Sequence, residues 1–223
     1  YGSRKHKLYT LLADKIISSQ GEDNIYNPFL ETYLYVRDLC HFDYVFLQHG
    51  IIKDDLSSWL NKYKKNIAMF VTSAWPEWKS VLDAPYYYDE KVVLMTGLPR
   101  YDRLIQNEKN KKVIVFMPTW RQELSITDAK TGEQCYNTEF KNSDYFQFYN
   151  KLINDERLIK TMKKYGYSGK FCIHSKLFAN VKDFNSNEVI EVSTENVDYQ
   201  KEFVEDALLV TDYSSVAFDF AYL

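Results

Sequence analysis

The sequence predicts an α/β protein of the doubly wound type, divided into two Rossmann-like halves. Three observations carry this. Seven short runs of β-branched, aliphatic and aromatic residues look like strands, and most lack clean polar alternation. Strands buried on both faces of a parallel sheet have this pattern. Helical patterns stand between the runs, and strand–helix–strand alternation is the signature of an α/β sheet. A polar, lysine-rich stretch that opens on a glycine and a proline separates the strands into two sets.

In chain order, a helical pattern over 5–19 comes first and a second over 28–40. The strands DYVFLQ (43–48) and IAMFVT (67–72) follow, then a helix over 73–82 and the strand VVLMTG (92–97). The junction GLPRYDRLIQNEKNKK (97–112) places a boundary near residue 107, giving halves 1–107 and 108–223. The second half opens on the strand KVIVFMP (112–118). The stretch 124–144 has weak periodicity and reads as a long loop, of the kind that often forms a lid or binding loop. A helix over 144–165, strands KFCIH (170–174) and EVIEV (188–192), a helix over 197–205, the strand ALLVTD (207–212) and a helix from 214 onward complete the set.

Composition narrows the function. At 223 residues the chain suits one large domain or two small ones and can bury a real core. The formal net charge of −3 provides no global basic field, so no nucleic-acid partner is expected. The basic stretches NKYKKN (61–66) and IKTMKKYG (159–166) read as solvated helix faces. Cys40, Cys135 and Cys172 are far apart and form no C-x-x-C, which argues against a disulfide framework or zinc site and for a reducing compartment. No apolar run reaches transmembrane length and no signal peptide is visible. The chain starts at Tyr1 and stops inside the apolar helical pattern VAFDFAYL, so a segment cut from a longer polypeptide at both ends is expected.

The chemistry-bearing residues gather where predicted strands end. Neither the dinucleotide fingerprint nor a P-loop is present. In ALLVTDYSSVAFDFA, Thr211 and Asp212 end a strand, and Ser214 and Ser215 open a helix. Serines there cap free N–H groups, and the same arrangement can hold an anion. In VIVFMPTWRQE, Arg121 follows Pro118 and Thr119; it suits a bidentate phosphate contact or an ion pair with Glu123 or another acid. Two of the four histidines end strands, His49 in YVFLQHGIIKDD and His174 in FCIHSK. A strand-end histidine is either a structural residue bonded to backbone or a general base, for which an imidazole titrating near ~6.5 is suited. The spacing of His, Asp and Glu suggests no metal site.

Taken together, LQHG (47–50), TGLPRYDRL (96–104), MPTWR (117–121), His174 and VTDYSSVAFDFAYL (210–223) resemble, in order and rough spacing, the CDP-glycerol glycerophosphotransferases, the teichoic-acid enzymes of the TagF/TagB type. The resemblance spans roughly residues 43 to 223. It implies a GT-B-like fold whose two Rossmann-like halves face a cleft, with the acceptor side in 1–107 and the donor nucleotide side in 108–223. The implied reaction passes glycerol phosphate, or a related alditol phosphate, from a CDP-alditol to a hydroxyl of a wall or capsule polymer, releasing CMP and needing no cofactor. The implied acceptor is polymeric or lipid-linked, which places the enzyme peripherally on the cytoplasmic face of the plasma membrane. By motif, His49 is the base, and Arg121, His174, Thr211, Ser214 and Ser215 line the donor phosphates. Gly50, Arg100, Asp102, Pro118, Thr119, Asp212 and Asp219 are the further substrate-contacting positions. One departure stands out, since Ser175 follows His174 where relatives often have proline. Asp54 and Asp55 are the reserve bases. Two other readings share these motifs: a GT-B glycosyltransferase using a nucleotide sugar, and an inactive nucleotide-binding fragment.

Overall fold

The computed structural model describes residues 2–22, 27–29, 32–104, 111–128, 133–194, 203 and 207–222. The chain divides into two units, Tyr1–Asp102 and Arg103–Leu223. The boundary expected near residue 107 lies outside the described residues.

In the first unit, α1 (Arg4–Leu12) begins at Ser3, whose hydroxyl accepts the His6 N–H at 3.2 Å. It ends earlier than the 5–19 pattern suggests, and Lys15–Ser18 forms a strand, β1. That stretch, with Ile16 and Ile17 adjacent, fits helix or strand locally. Pairing decides it, because Lys15–Ser18 lies in parallel register on Asp43–Phe46 and satisfies backbone groups that an isolated helix end would leave open. The described part of the 28–40 pattern is reduced to α2 (Tyr33–Val36) and a 3₁₀ turn, Arg37–Leu39. Then come β2 (Asp43–Phe46), β3 (Ile67–Thr72), α3 (Trp75–Asp83) and β4 (Val93–Met95). The four strands pair in the order β1-β2-β3-β4, all parallel. Phe46, Phe70, Val81 and Tyr86 fill the space beneath, with Phe46 set edge-on to Phe70 at 5.2 Å between centroids.

The second unit starts with β5 (Val113–Phe116). The segment read as a loop contains a short antiparallel ribbon, β6 (Ile126–Thr127) with β7 (Gln134–Cys135), and a 3₁₀ turn at Phe140–Asn142. The expected single helix over 144–165 is two helices, α4 (Asp144–Ile153) and α5 (Glu156–Tyr165). Asp155 causes the break: its carboxylate accepts the N–H groups of Arg157 and Leu158, the bonding of an N-cap. Next are β8 (Ser168–Phe171), a 3₁₀ segment over Ser175–Asp183, β9 (Ile190–Val192), β10 (Leu208–Val210) and α6 (Val216–Ala221). The helix expected over 197–205 lies outside the described residues apart from Phe203. The sheet order is β10-β5-β8-β9, again all parallel.

The core of this unit is aromatic, with Phe171 and Phe184 at 4.7 Å and Phe140 packed against both Tyr145 and Phe184. Gly169 sets how closely its neighbours approach β8. A Cβ there would stand 2.9 Å from Ile190 Cγ1 and 3.0 Å from Met162 Cε. Gly169→Ala should therefore destabilise the protein by about 1–3 kcal/mol through overpacking, read as a lower urea midpoint. An unchanged midpoint would show that Met162 and Ile190 move aside freely. Among the described residues no helix is long and apolar enough to cross a membrane.

Candidate active site

Each unit presents polar groups beyond the carboxyl ends of its parallel strands, where open α/β sheets bind ligands. In the first unit the strand expected over 43–48 stops at Phe46, and Leu47-Gln48-His49 leads away from it. Gln48 has φ of +61°, an uncommon value for a residue with a side chain. It is buried, and its Nε2 donates to the Val71 carbonyl at 2.7 Å and to Glu77 Oε1 at 3.2 Å. His49 beside it is exposed, and Gly50 is buried. Arg100, expected to contact substrate, donates through Nη1 to the main-chain carbonyl of His49. Asp102 is exposed. The two reserve carboxylates have local partners: Asp54 pairs with Lys53 at 2.6 Å, and Asp55 accepts the Ser57 N–H at 2.8 Å. Hydrogen bonds from Ser57 hold the Asp55 carboxyl below the usual carboxylate range.

The second unit gathers more. Strand β5 pairs with β10 on one side and β8 on the other, so their carboxyl ends lie side by side. The Thr211 hydroxyl donates to the Met117 carbonyl at 2.6 Å and extends that pairing past the strand ends. Asp212 is the centre of the group. Its Oδ1 accepts the Thr119 N–H at 3.0 Å, the Thr119 hydroxyl at 2.5 Å and its neighbour Tyr213 N–H at 2.8 Å. Its Oδ2 accepts Arg121 Nη2 at 3.0 Å and the Tyr149 hydroxyl at 3.2 Å. Burial alone would raise the Asp212 carboxyl, but the Thr119 bonds and the Arg121 charge outweigh it and hold the group below its ordinary range.

Arg121 thus takes the ion-pair alternative, with Asp212 rather than Glu123 as its partner. Its Nη1 also donates to the Thr119 carbonyl at 2.7 Å, and its guanidinium stands 4.8 Å from the Tyr213 ring centroid. Among the described residues these bonds engage two of the five N–H donors a guanidinium carries, leaving the planar fork oriented with donors to spare. A cavity of about 880 Å³ opens beside it, lined among others by Tyr145, Tyr149, Thr211, Asp212 and Tyr213. Burial, then the charge of Asp212, pushes the Tyr149 hydroxyl up to about 12, so Tyr149 stays a neutral donor. Burial raises Tyr145 as well.

His174 lies three residues past the end of β8. Its ring stacks on Trp120 with 5.9 Å between centroids, which ties it to the Thr119–Arg121 segment. Its Nδ1 accepts the Lys176 N–H at 3.1 Å. A neutral ring with one nitrogen accepting carries its proton on the other, so Nε2–H is the free donor. Burial, and then the Lys176 charge, lower the His174 pKa from its ordinary value. Because the neutral ring is the folded form, the stability it contributes is complete above the unfolded-state value and is lost as pH falls below it. An NMR titration of His174 should give a midpoint below that of a histidine in an unstructured peptide. A midpoint above it would contradict the burial of the ring and its place beside Lys176.

Pro118 is buried behind Thr119. The Ser214 hydroxyl accepts the Val216 N–H at 3.4 Å. Ser215 precedes α6 without a side-chain capping bond, and Asp219 is half-buried within that helix. The structure therefore brings Thr119, Arg121 and Asp212 into one bonded group, ties neighbouring Thr211 to Met117, links His174 to the group through Trp120, and places Ser214, Ser215 and Asp219 in the segment that follows. Sequence reasoning missed Tyr145 and Tyr149, whose only sequence signal is their four-residue spacing on α4. It also missed Glu77, a lone Glu that gave no motif, and it quoted Gln48 within LQHG without giving it a role. Among the described residues no group of three or more His, Cys, Asp or Glu could hold a metal ion.

The family described as CDP-Glycerol:Poly(glycerophosphate) glycerophosphotransferase matches residues 1–223. The chain belongs to this family. It is 44% identical over 223 residues to the minor teichoic acid biosynthesis protein GgaB of Bacillus subtilis (strain 168), covering all of this chain and 25% of that protein. It is 29% identical over 187 residues to a teichoic acid poly(glycerol phosphate) polymerase of Staphylococcus epidermidis, covering 73% of this chain and 23% of that one. The chain thus spans about a quarter of the length of these relatives. Among solved structures it is similar to a variant of the wall teichoic acid polymerase TagF, with a TM-score of 0.57 and 19% identity over 95% of this chain and 52% of that one. It is also similar to UDP-GlcNAc 2-epimerase of Methanocaldococcus jannaschii, with a TM-score of 0.55 and 16% identity over 96% of this chain and 59% of that one. Both likenesses bear on the fold, which is GT-B-like in these neighbours, as the sequence led one to expect.

Proposed function

We propose that this chain carries the transfer chemistry of a CDP-alditol-dependent glycerophosphotransferase. The observation that carries the reading is the cluster at adjacent strand ends: Thr119 and Arg121 after β5 hydrogen-bonded to Asp212 after β10, with His174 after β8 stacked on Trp120 beside them. It supplies an oriented guanidinium and a neutral imidazole N–H, both suited to the oxygens of a diphosphate. Family membership selects the ligand, a CDP-alditol carrying glycerol phosphate or a related alditol phosphate.

In this reading an acceptor hydroxyl attacks the phosphorus that bears the alditol. A new P–O bond forms to the acceptor, and the bond from that phosphorus to the CMP oxygen breaks. The hydroxyl proton passes to a ring nitrogen of His49. CMP leaves as a phosphate monoester, and Arg121 with His174 Nε2–H stabilises the charge that develops on it. Phosphoryl transfer leaves little covalent work to the protein, and positioned charge does most of it. Ser214, Ser215, Thr211 and Asp219 complete the donor side, and Gly50 and Asp102 lie on the acceptor side. The acceptor is a wall or capsule polymer, or its lipid-linked precursor, met at the cytoplasmic membrane surface.

Calorimetric titration of the full-length protein tests the donor assignment. CDP-glycerol or CDP-ribitol should bind at least tenfold more tightly than a UDP-sugar or a CMP-sugar. Preference for a nucleotide sugar would overturn it in favour of a glycosyltransferase.

A further inference from the structure

Glu77 stands in the first turn of α3 and is only 5% exposed. Its carboxylate accepts four hydrogen bonds. Oε2 takes the Ser73 N–H at 2.6 Å and the Ser73 hydroxyl at 2.8 Å, which close the start of its own helix. Oε1 takes the Ile52 N–H at 2.6 Å and Gln48 Nε2 at 3.2 Å, and both of these donors belong to the loop that carries His49. Only His49, Gly50 and Ile51 lie between the two pinned residues. The loop needs such a hold, because Gln48 sits at φ +61°, a left-handed conformation that a residue with a side chain keeps only where its surroundings enforce it. Gln48 is fixed again by its bond to Val71, and the His49 carbonyl is gripped by Arg100. His49 is exposed while its backbone is held in place.

We propose that Glu77 is the positioning residue that fixes the pose of His49, an inference that rests on the reading of His49 as the base. Acceptor-only chemistry is what the place requires. Two of the four donors are main-chain N–H groups, one on each side, and neither can turn away. An amide in place of the carboxylate would direct an NH₂ at either Ile52 N–H or Ser73 N–H and leave that donor without a partner.

The test is a double-mutant cycle on the full-length protein, with kcat, acceptor KM and CDP-glycerol affinity measured on folded protein below each variant's melting midpoint. Glu77→Gln should lower kcat by about 10–100-fold, since a misplacement of about 1 Å costs a catalytic group around 10²-fold. CDP-glycerol affinity should be unchanged. In a His49→Ala background the same substitution should change kcat by less than about twofold, because the group it positions is gone. Glu77→Asp keeps the charge and the Ser73 bonds but is too short to reach the loop as well. It should show the same dependence on His49, and serves if Glu77→Gln does not fold. An equal fall in both backgrounds would make Glu77 a general support of the fold and overturn the proposal. So would an unchanged kcat in Glu77→Gln while His49→Ala is slow, an outcome that leaves the base assignment standing. A His49→Ala protein as fast as wild type would instead remove the base assignment itself, and the positioning role with it.

Discussion

Replacing His49 by alanine in the full-length protein should lower kcat by about 10²–10⁴-fold, the usual worth of a positioned general base. CDP-glycerol binding should survive, because the donor contacts are assigned to residues 108–223. The fold should survive too. The His49 side chain is exposed, and the Arg100 bond is made to its main-chain carbonyl, which alanine retains. Partial rescue by imidazole would fit the same account. If His49→Ala unfolds the protein while its folded fraction turns over normally, the histidine is structural and another base must be found. Asp54 and Asp55 would be tested next, although Lys53 and Ser57 already engage them.

Arg121→Ala should raise KM for the CDP-alditol by roughly 10–100-fold, the worth of one charge-assisted hydrogen bond of about 1.5–3 kcal/mol. The effect on stability should be smaller than on KM. Arg121 is only one of the partners of Asp212, and Thr119, Tyr149 and Tyr213 continue to donate to that carboxylate. The folded-state preference of Asp212 for its charged form contributes stability that is present above the ordinary carboxylate value and is lost as pH falls through the depressed folded value. Arg121→Ala should weaken that acid-side dependence. Unchanged donor kinetics with a large loss of stability would make Arg121 a structural partner of Asp212 and nothing more.

The features legible in the sequence were those fixed by local pattern. Strands such as Ile67–Thr72 and Val113–Phe116 are apolar on both faces and flanked by polar residues, so they stood out wherever a parallel sheet buried them. The strand-end position of Thr211 and Asp212 followed from the same pattern. What tertiary pairing decides was not legible. Lys15–Ser18 becomes a strand only because Asp43–Phe46 lies beside it. The split between α4 and α5 was readable in principle from Asn154 and Asp155, but a continuous amphipathic pattern masked it. At the site, motif residues were found and their supports were not. Glu77 and Tyr149 act through contacts across 25 and 63 residues of sequence, a separation at which no spacing rule operates.

The reaction itself is tested most directly by its products. Full-length protein given CDP-glycerol and a hydroxyl-terminated glycerol phosphate oligomer should release one CMP for each glycerol phosphate unit added, with the new linkage a phosphodiester. Release of CDP in place of CMP, or growth of the oligomer from a nucleotide sugar and not from CDP-glycerol, would contradict the account.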